Sequence, residues 1–227
     1  MDIHERIHAH LLKCARRSAQ YSSHSLPSQR MEMEMSTPKI LAFAGSTRSG
    51  SLNKKLARAA ADAASTAGAE VTLIDLHDFP LPLFDEDLET AQGLPDNAKK
   101  LKTLFRHHDG FIIASPEYNS SITAVLKNAI DWASRSESDD EPPLAAYRGK
   151  TAALLSASPG ALGGMRGLVH LRAILGNIGV IVLPDQVAVP KAHEAFDDAG
   201  RLTAERSIKQ VAALAGSLVA FLKKHLA

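Results

Sequence analysis

Short apolar runs alternate with longer amphipathic segments from Pro38 to His225. Five runs rich in Ala, Val, Ile, Leu and Phe are interpreted as strands: Lys39–Ala44, Glu70–Asp75, Gly110–Ser115, Lys150–Ser156 and Val180–Leu183. Elsewhere apolar positions recur every three or four residues, which predicts helices over Ser51–Ala67, Asp96–His108, Ser121–Ser134, Gly164–Asn177 and Leu202–His225. The proline-rich segment Phe79–Pro95 is predicted to be a loop, and the acidic segment Glu137–Pro143 a solvated one.

The predicted strands are apolar at successive positions, which indicates that both of their faces are buried. Such strands are typical of a parallel sheet covered by helices on each side. The pattern therefore predicts an α/β fold with a doubly wound five-stranded parallel sheet, in the flavodoxin-like order 2-1-3-4-5. Ligands of such sheets bind beyond the carboxyl ends of the strands. The loops after strands 1, 3 and 4 are thus the candidate functional loops: Gly45–Asn53, Pro116–Ser120 and Ala157–Gly164.

Residues 1–35 differ from the rest, because His, Arg and Ser predominate there and large apolar side chains are few. We expect this segment to be a disordered N-terminal extension, or to lie upstream of a start at Met31, Met33 or Met35. A short helix over Ile3–Ala15 is compatible with the pattern. Residues 36–227 are expected to form a single domain with the flavodoxin-like fold.

The composition of the chain argues against several kinds of ligand and partner. The 227-residue chain has a net charge of +1 and one cysteine, Cys14, which excludes an intramolecular disulfide and a cysteine-based zinc site. Aromatic residues make up 5%, which is low for a nucleic-acid stacking surface. The apolar stretch at Val211–Leu222 is too short to span a bilayer. We therefore expect a cytoplasmic protein with no metal, nucleic-acid or membrane partner.

The first loop, GSTRSGSLN, suits a phosphate group. The N–H groups at the start of a helix and the helix dipole attract anions, and Arg48 adds a guanidinium that can bind phosphate in a bidentate manner. Ser51 and Leu52 follow Gly50, where a P-loop would have its lysine, so nucleoside triphosphate hydrolysis is not expected. The loop also lacks the G-x-G-x-x-G pattern, and Asp75 is interpreted as a strand cap in preference to a ribose ligand.

The second and third loops suit a flat ring. Pro116 and Asn119 favour a turn that presents the planar side chain of Tyr118. The third loop, SPGALGG from Ser158 to Gly164, contains glycines that permit a close approach of backbone to ligand. Each loop taken alone is also explained as a plain turn. Because all three lie at one edge of the predicted sheet, together they indicate a site for flavin mononucleotide (FMN).

Three segments, GSTRSGSLN, PEYNSSITAVLKNAIDW and SPGALGGMRGLVHLRAIL, resemble in this order the NADPH-dependent FMN reductase family, which includes quinone, azo-dye and chromate reductases. The resemblance runs from about Lys39 to Leu222. It implies that the FMN phosphate and ribityl chain are held by Ser46, Arg48, Ser51, Leu52 and Asn53. It further implies that the isoalloxazine ring is bordered by Pro116, Glu117, Tyr118 and Asn119, and on its far side by Ser158, Pro159 and Gly160.

The resemblance also implies an oxidoreductase that passes electrons from NADPH or NADH through FMN to a small acceptor such as a quinone, as a homodimer or homotetramer. No catalytic side chain is assigned, because the flavin carries the chemistry. Two alternatives stay open. One is a flavodoxin-like electron carrier that does not itself oxidise a nicotinamide, although such carriers are usually very acidic and this chain has a charge of +1. The other is a non-redox phosphate-binding domain.

Overall fold

The computed structural model describes residues 36–226, so the predictions for residues 1–35, including the helix over Ile3–Ala15, lie outside it. The strands are β1 Lys39–Ala44, β2 Glu70–Asp75, β3 Gly110–Ala114, β4 Thr151–Ala157 and β5 Ile181–Val189. The helices are α1 Leu52–Thr66, α2 Glu86–Gln92, α3 Asp96–His107, α4 Ala124–Ser134, α5 Met165–Asn177 and α6 Glu205–His225. No helix within residues 36–226 is both long enough and apolar enough to cross a membrane.

The strands form one parallel sheet in the order β2-β1-β3-β4-β5, which confirms the predicted fold. Alternate residues of β1 enter different cores. Ile40 and Ala42 pack with α1 and α6 on one face, whereas Leu41 and Phe43 pack with α3, α4 and α5 on the other. A strand between two apolar cores has no polar face, and this explains why the strands read as continuous apolar runs.

The helix α2 lies in the segment Phe79–Pro95 that was predicted to be a loop, and that prediction was wrong. The carboxylate of Asp85 accepts hydrogen bonds from the N–H groups of Asp87 and Leu88, at 2.8 and 3.4 Å, and so caps the helix. Acidic side chains fill the first turn, where they interact favourably with the helix dipole. The prolines at the two ends of the segment, Pro80 and Pro82 before the helix and Pro95 after it, favoured the interpretation as a loop.

The strand β5 was predicted to end at Leu183, but it continues through Pro184 to Val189. It lies at the edge of the sheet, where a proline without an N–H is tolerated, and its pairing with β4 shifts register near Ala153. The guanidinium of Arg172 donates to the carbonyl oxygens of Leu183 and Pro184 at 2.7 and 3.2 Å. A side chain from α5 thus satisfies the backbone where the strand is irregular.

The acidic segment Glu137–Pro143 was predicted to be solvated, yet the side chain of Glu141 is only 7% exposed. It forms an ion pair with Lys102 on α3, whose side chain is 2% exposed. Lys102 also donates to the carbonyl oxygen of Arg135 at 2.6 Å. Burial raises the pKa of Glu141, but the hydrogen bonds from Lys102 and from the Glu137 N–H outweigh it and leave that pKa below its ordinary value. The pair fastens this loop to α3.

Candidate flavin site

Three loops meet at the carboxyl edge of the sheet and enclose a cleft of about 130 Å³. The lining residues are Ser46, Arg48, Ser51, Leu52, Asn53, Pro116, Glu117, Tyr118, Ala157, Ser158 and Pro159. All residues predicted for the site are therefore brought together except Asn119 and Gly160, which neighbour lining residues in the chain. Ala157, which ends β4 at the cleft, begins the predicted third loop but was not assigned as a site residue.

The first loop leaves β1 by passing directly under α4. A Cβ atom at Gly45 would come within 2.9 Å of the Leu126 side chain, so only glycine fits there. The Thr123 hydroxyl donates to the Gly45 carbonyl oxygen at 2.7 Å. The loop then turns tightly, because the Arg48 N–H donates to Ser46 Oγ at 3.3 Å and the Ser51 N–H to the Arg48 carbonyl oxygen at 3.2 Å.

The phosphate-binding character of this loop depends on groups that have no partner among residues 36–226. Ser51 occupies the N-cap position of α1, but its side chain makes no capping hydrogen bond. No acidic residue stands in the first turn of α1 to compensate the positive end of the helix. The Arg48 side chain is exposed and, among residues 36–226, forms no salt bridge. An anion placed between Arg48 and the start of α1 would interact with the guanidinium and with the positive end of the helix dipole.

Asn53 lines the cleft, but its side chain serves the protein backbone. Its Nδ2 donates to the Ala157 carbonyl oxygen at 2.8 Å, and its Oδ1 accepts from the Ala157 N–H at 2.9 Å. These two bonds join the start of α1 to the end of β4 across the sheet. Asn53 therefore orients the phosphate loop, and its side-chain amide is already occupied.

The second loop contains a strained turn that presents Tyr118. The N–H and carbonyl groups of Tyr118 and Ser121 pair at 2.9 and 3.0 Å, and the two residues between them, Asn119 and Ser120, have φ values of 52° and 65°. This geometry is that of a type I′ turn, which usually requires glycine or asparagine. Strain of this kind concentrates at functional sites. The turn leaves Tyr118 58% exposed at the cleft.

Glu117 lines the cleft, but its carboxylate is bound to the start of α5. Its Oε2 accepts from the N–H groups of Arg166 and Gly167 at 3.0 and 3.2 Å, and its Oε1 accepts from Arg166 Nε at 2.8 Å. Burial raises the pKa of Glu117, but these hydrogen bonds and the Arg166 charge together lower it below the ordinary value. The ionised carboxylate thus fixes the second loop to α5. The sequence carried no signal for this pairing, because the partners are far apart in the chain.

One glycine of the third loop, Gly163, closely approaches the protein's own backbone. Gly163 has a φ of 62°, and a Cβ atom there would lie 2.8 Å from the backbone of Val189 and Pro190. The Ser158 N–H donates to the Val189 carbonyl oxygen at 3.1 Å, so the loop is held against the end of β5. The expected close approach of this loop to a ligand stays a prediction, and the contact that the structure shows at Gly163 serves loop packing. Ser158 and Pro159 remain at the cleft.

Comparison with known proteins decides the family. The model of the family described as NADPH-dependent FMN reductase matches residues 38–194. The chain belongs to the NADPH-dependent FMN reductase family. It is 38% identical over 170 residues to an NAD(P)H-dependent FMN reductase of Pseudomonas aeruginosa, covering 74% of this chain and 86% of the relative. It is 36% identical over 145 residues to a quinone reductase of Escherichia coli K12, covering 64% of this chain and 73% of the relative.

Solved structures agree with this assignment. The flavoenzyme NAD(P)H:(acceptor) oxidoreductase of Paracoccus denitrificans superposes with a TM-score of 0.70 at 28% identity, covering 83% of this chain and 99% of that one. A flavodoxin from the Archaea matches with a TM-score of 0.52 at 10% identity, over 82% of this chain and 99% of that one, and this shows a shared fold alone. Family membership supports an FMN-dependent oxidoreductase that uses NAD(P)H, and it does not favour the electron-carrier alternative.

Proposed function

We propose that the three-loop cleft binds FMN and that the protein passes electrons from NADPH or NADH through this flavin to a small quinone-like acceptor. The observation that carries the proposal is the free Arg48 guanidinium beside the uncapped start of α1. These groups are suited to a phosphate monoester, and the loops beside them offer a planar side chain and exposed backbone. The relatives named as FMN and quinone reductases support the same chemistry.

The phosphate end of the cleft is the part that this chain builds most completely. The Ser46 and Ser51 side chains are 6% and 3% exposed, so their hydroxyls are set at fixed positions in the turn. Arg48 contributes a charge-assisted contact, which is stronger than one between neutral groups. Asn53 and Leu52 hold the first turn of α1 against the sheet. We assign the FMN phosphate and the nearer part of the ribityl chain to this end.

The ring end is more open. Pro116 and Tyr118 would border one side of the isoalloxazine, with Asn119 at the turn, and Ser158, Pro159 and Gly160 would border the other. When bound, FMN supplies the hydride-accepting and electron-donating chemistry. The task of the protein is therefore to orient the ring and to leave one face accessible. Because a single accessible face must serve donor and acceptor in turn, we expect ping-pong kinetics.

We further propose that the protein is a homodimer or homotetramer whose subunits cover the ring. A cleft of about 130 Å³ is smaller than the range of about 300–1,000 Å³ that is typical of small-molecule sites, so one chain encloses only part of a flavin nucleotide. Large apolar side chains stand exposed on the second loop, the third loop and α5, namely Tyr118, Leu162, Met165 and Val169. Exposed apolar side chains of this size favour burial against a protein partner. We also propose a cytoplasmic location, which a chain with a lone cysteine, Cys14, favours.

The colour of the purified protein tests this function. We expect a yellow protein whose colour bleaches on anaerobic addition of NADPH or NADH and returns on addition of a benzoquinone. A yellow protein that neither donor bleaches would support the carrier alternative. A protein that stays colourless after incubation with FMN would overturn the proposal and favour the non-redox phosphate-binding domain.

A further inference from the structure

A second cavity, of about 340 Å³, lies between α1 and β2 and plays no part in the flavin assignment. Its lining residues are Ala44, Lys54, Ala57, Arg58, Leu73, Ile74, Asp75, Asp78 and Phe79. The cavity opens where β1 and β2 end, at the edge of the sheet where open α/β folds bind ligands. Its volume falls within the range of about 300–1,000 Å³ that is typical of small-molecule sites.

The walls of this α1–β2 cavity combine apolar surface with charge. Leu73, Ala57 and Phe79 provide apolar walls that suit the flat faces of an aromatic heterocycle. Lys54 Nζ lies 2.5 Å from Asp75 Oδ2, and Asp75 Oδ1 accepts from the His77 N–H at 2.9 Å. The Lys54 charge is therefore compensated inside the protein, although each Asp75 oxygen keeps a lone pair that a ligand hydroxyl can use.

Arg58, unlike Lys54, has a positive charge that remains available to a ligand. Its side chain is exposed and, within residues 36–226, forms neither a salt bridge nor a hydrogen bond. A guanidinium with this freedom can bind a phosphate in a bidentate manner. The Asp78 carboxylate also borders the cavity and opposes an anion there. The site therefore suits a ligand whose phosphate meets Arg58 while a ring and hydroxyl groups lie deeper.

The α1–β2 cavity and the flavin cleft share no lining residue, but a third cavity relates the two. Phe79 borders both this cavity and a third one of about 300 Å³, which is also lined by Thr47 and His77. Thr47 stands in the chain between Ser46 and Arg48, which line the flavin cleft. A ligand that leaves the cleft over the first loop would thus pass Thr47 and Phe79 on its way to Arg58.

We propose that the α1–β2 cavity binds the adenosine half of the nicotinamide donor and that Arg58 contacts its 2′-phosphate. This inference rests on the proposed function, because only that function requires a nicotinamide donor. An adenine ring matches the apolar walls, and the 2′-phosphate matches Arg58. Asp75 does cap the turn after β2, as the sequence suggested, but its remaining lone pairs can also accept a ribose hydroxyl, a role that the sequence pattern had not favoured. The protein then prefers NADPH to NADH, because NADH has no group to meet the guanidinium.

Binding of adenosine 2′,5′-bisphosphate to the full-length FMN-loaded protein tests the cavity directly. By isothermal titration calorimetry, Arg58→Ala is expected to weaken this binding about tenfold, which corresponds to about 1.4 kcal/mol, and to change adenosine 5′-monophosphate binding far less. Asp78→Asn, which removes a repelling charge, is expected to tighten bisphosphate binding. Arg206→Ala is the matched control, because Arg206 is an exposed arginine of α6 that lines none of these three cavities. Equal affinities in the Arg58 and Arg206 variants would overturn the assignment.

Kinetics distinguish the donor's adenosine from a free nucleotide. We expect adenosine 2′,5′-bisphosphate to compete with NADPH in the anaerobic reduction of bound FMN, and Arg58→Ala to raise the KM for NADPH about tenfold relative to the KM for NADH. Non-competitive inhibition would indicate an independent nucleotide site and overturn the proposal. If neither donor reduces the flavin, the proposed function itself fails. Unchanged bisphosphate affinity in the Arg58 variant, with normal flavin reduction, overturns the cavity assignment alone.

Discussion

Replacing Arg48 by alanine should weaken FMN binding by about tenfold or more. The Arg48 side chain forms no salt bridge within residues 36–226, so its charge is available to a ligand. A hydrogen bond to a charged group contributes about 1.5–3 kcal/mol, and about 1.4 kcal/mol corresponds to a factor of ten. Because the side chain is exposed, solvent screening places the effect toward the lower end of that range. The N–H groups at the start of α1 stay in place, so binding is weakened and not abolished.

The fold should tolerate this substitution. Only the backbone of Arg48 takes part in the loop, through its N–H to Ser46 and its carbonyl oxygen to Ser51. Substitution of an exposed side chain that has no partner usually changes the free energy of unfolding by about 0.5 kcal/mol or less. Arg48→Lys should restore part of the affinity, since an ammonium keeps the charge but lacks the planar fork of donors. Turnover should largely return at saturating FMN, because Arg48 contacts the phosphate end and not the ring.

Fluorescence quenching measures the affinity as FMN is titrated into the flavin-free protein. Arg206→Ala, on the outer surface of α6, controls for the loss of one positive charge. Raising the salt concentration should weaken binding to the unaltered protein and narrow its difference from Arg48→Ala. A dissociation constant equal to that of the unaltered protein would refute the phosphate assignment, and the cleft assignment would fail with it.

Four further outcomes are expected. Asn53→Ala leaves the buried N–H and carbonyl of Ala157 without partners, and urea denaturation should show a loss of about 2 kcal/mol or more. Lys102→Met leaves the buried Glu141 carboxylate without its cation and should lower the free energy of unfolding at neutral pH by about 3 kcal/mol. Adding Glu141→Gln should restore part of that lost stability. Folding lowers the pKa of Glu141, so the ionised carboxylate stabilises the folded state at pH values above the ordinary pKa of 4.5. This stabilisation is lost as the pH falls through the folded-state pKa. Glu141→Gln should therefore make the free energy of unfolding less sensitive to acid, which urea titrations at a series of pH values can measure. A chain starting at Met35 should fold and keep its flavin and turnover, and loss of soluble expression would contradict the domain boundary.

Much of the fold could be predicted because its determinants are local. Each strand is apolar on both faces, and this alone indicates a sheet between two helical layers. The position of the site followed from the same pattern, since parallel strands bring the loops at their carboxyl ends together. The lining of the cleft by Arg48, Tyr118 and Ser158 thus needed no knowledge of side-chain contacts.

The parts that sequence reasoning missed depend on contacts between distant residues. Asn53 meets Ala157 across 104 positions, and nothing near either residue indicates that the amide serves the backbone. Glu117 and Arg166 are separated by 49 positions, so the capping role of the carboxylate was hidden in a motif interpreted as a ring contact. The burial of Glu141, in a loop, likewise requires Lys102 on the distant helix α3.

A crystal structure of the FMN-loaded protein tests the central claim most directly. The account predicts the phosphate against the Arg48 guanidinium and the N–H groups at the start of α1. It also predicts the isoalloxazine between the Pro116–Asn119 and Ser158–Gly160 loops. A phosphate bound elsewhere, for instance beside Arg58 in the α1–β2 cavity, would contradict it.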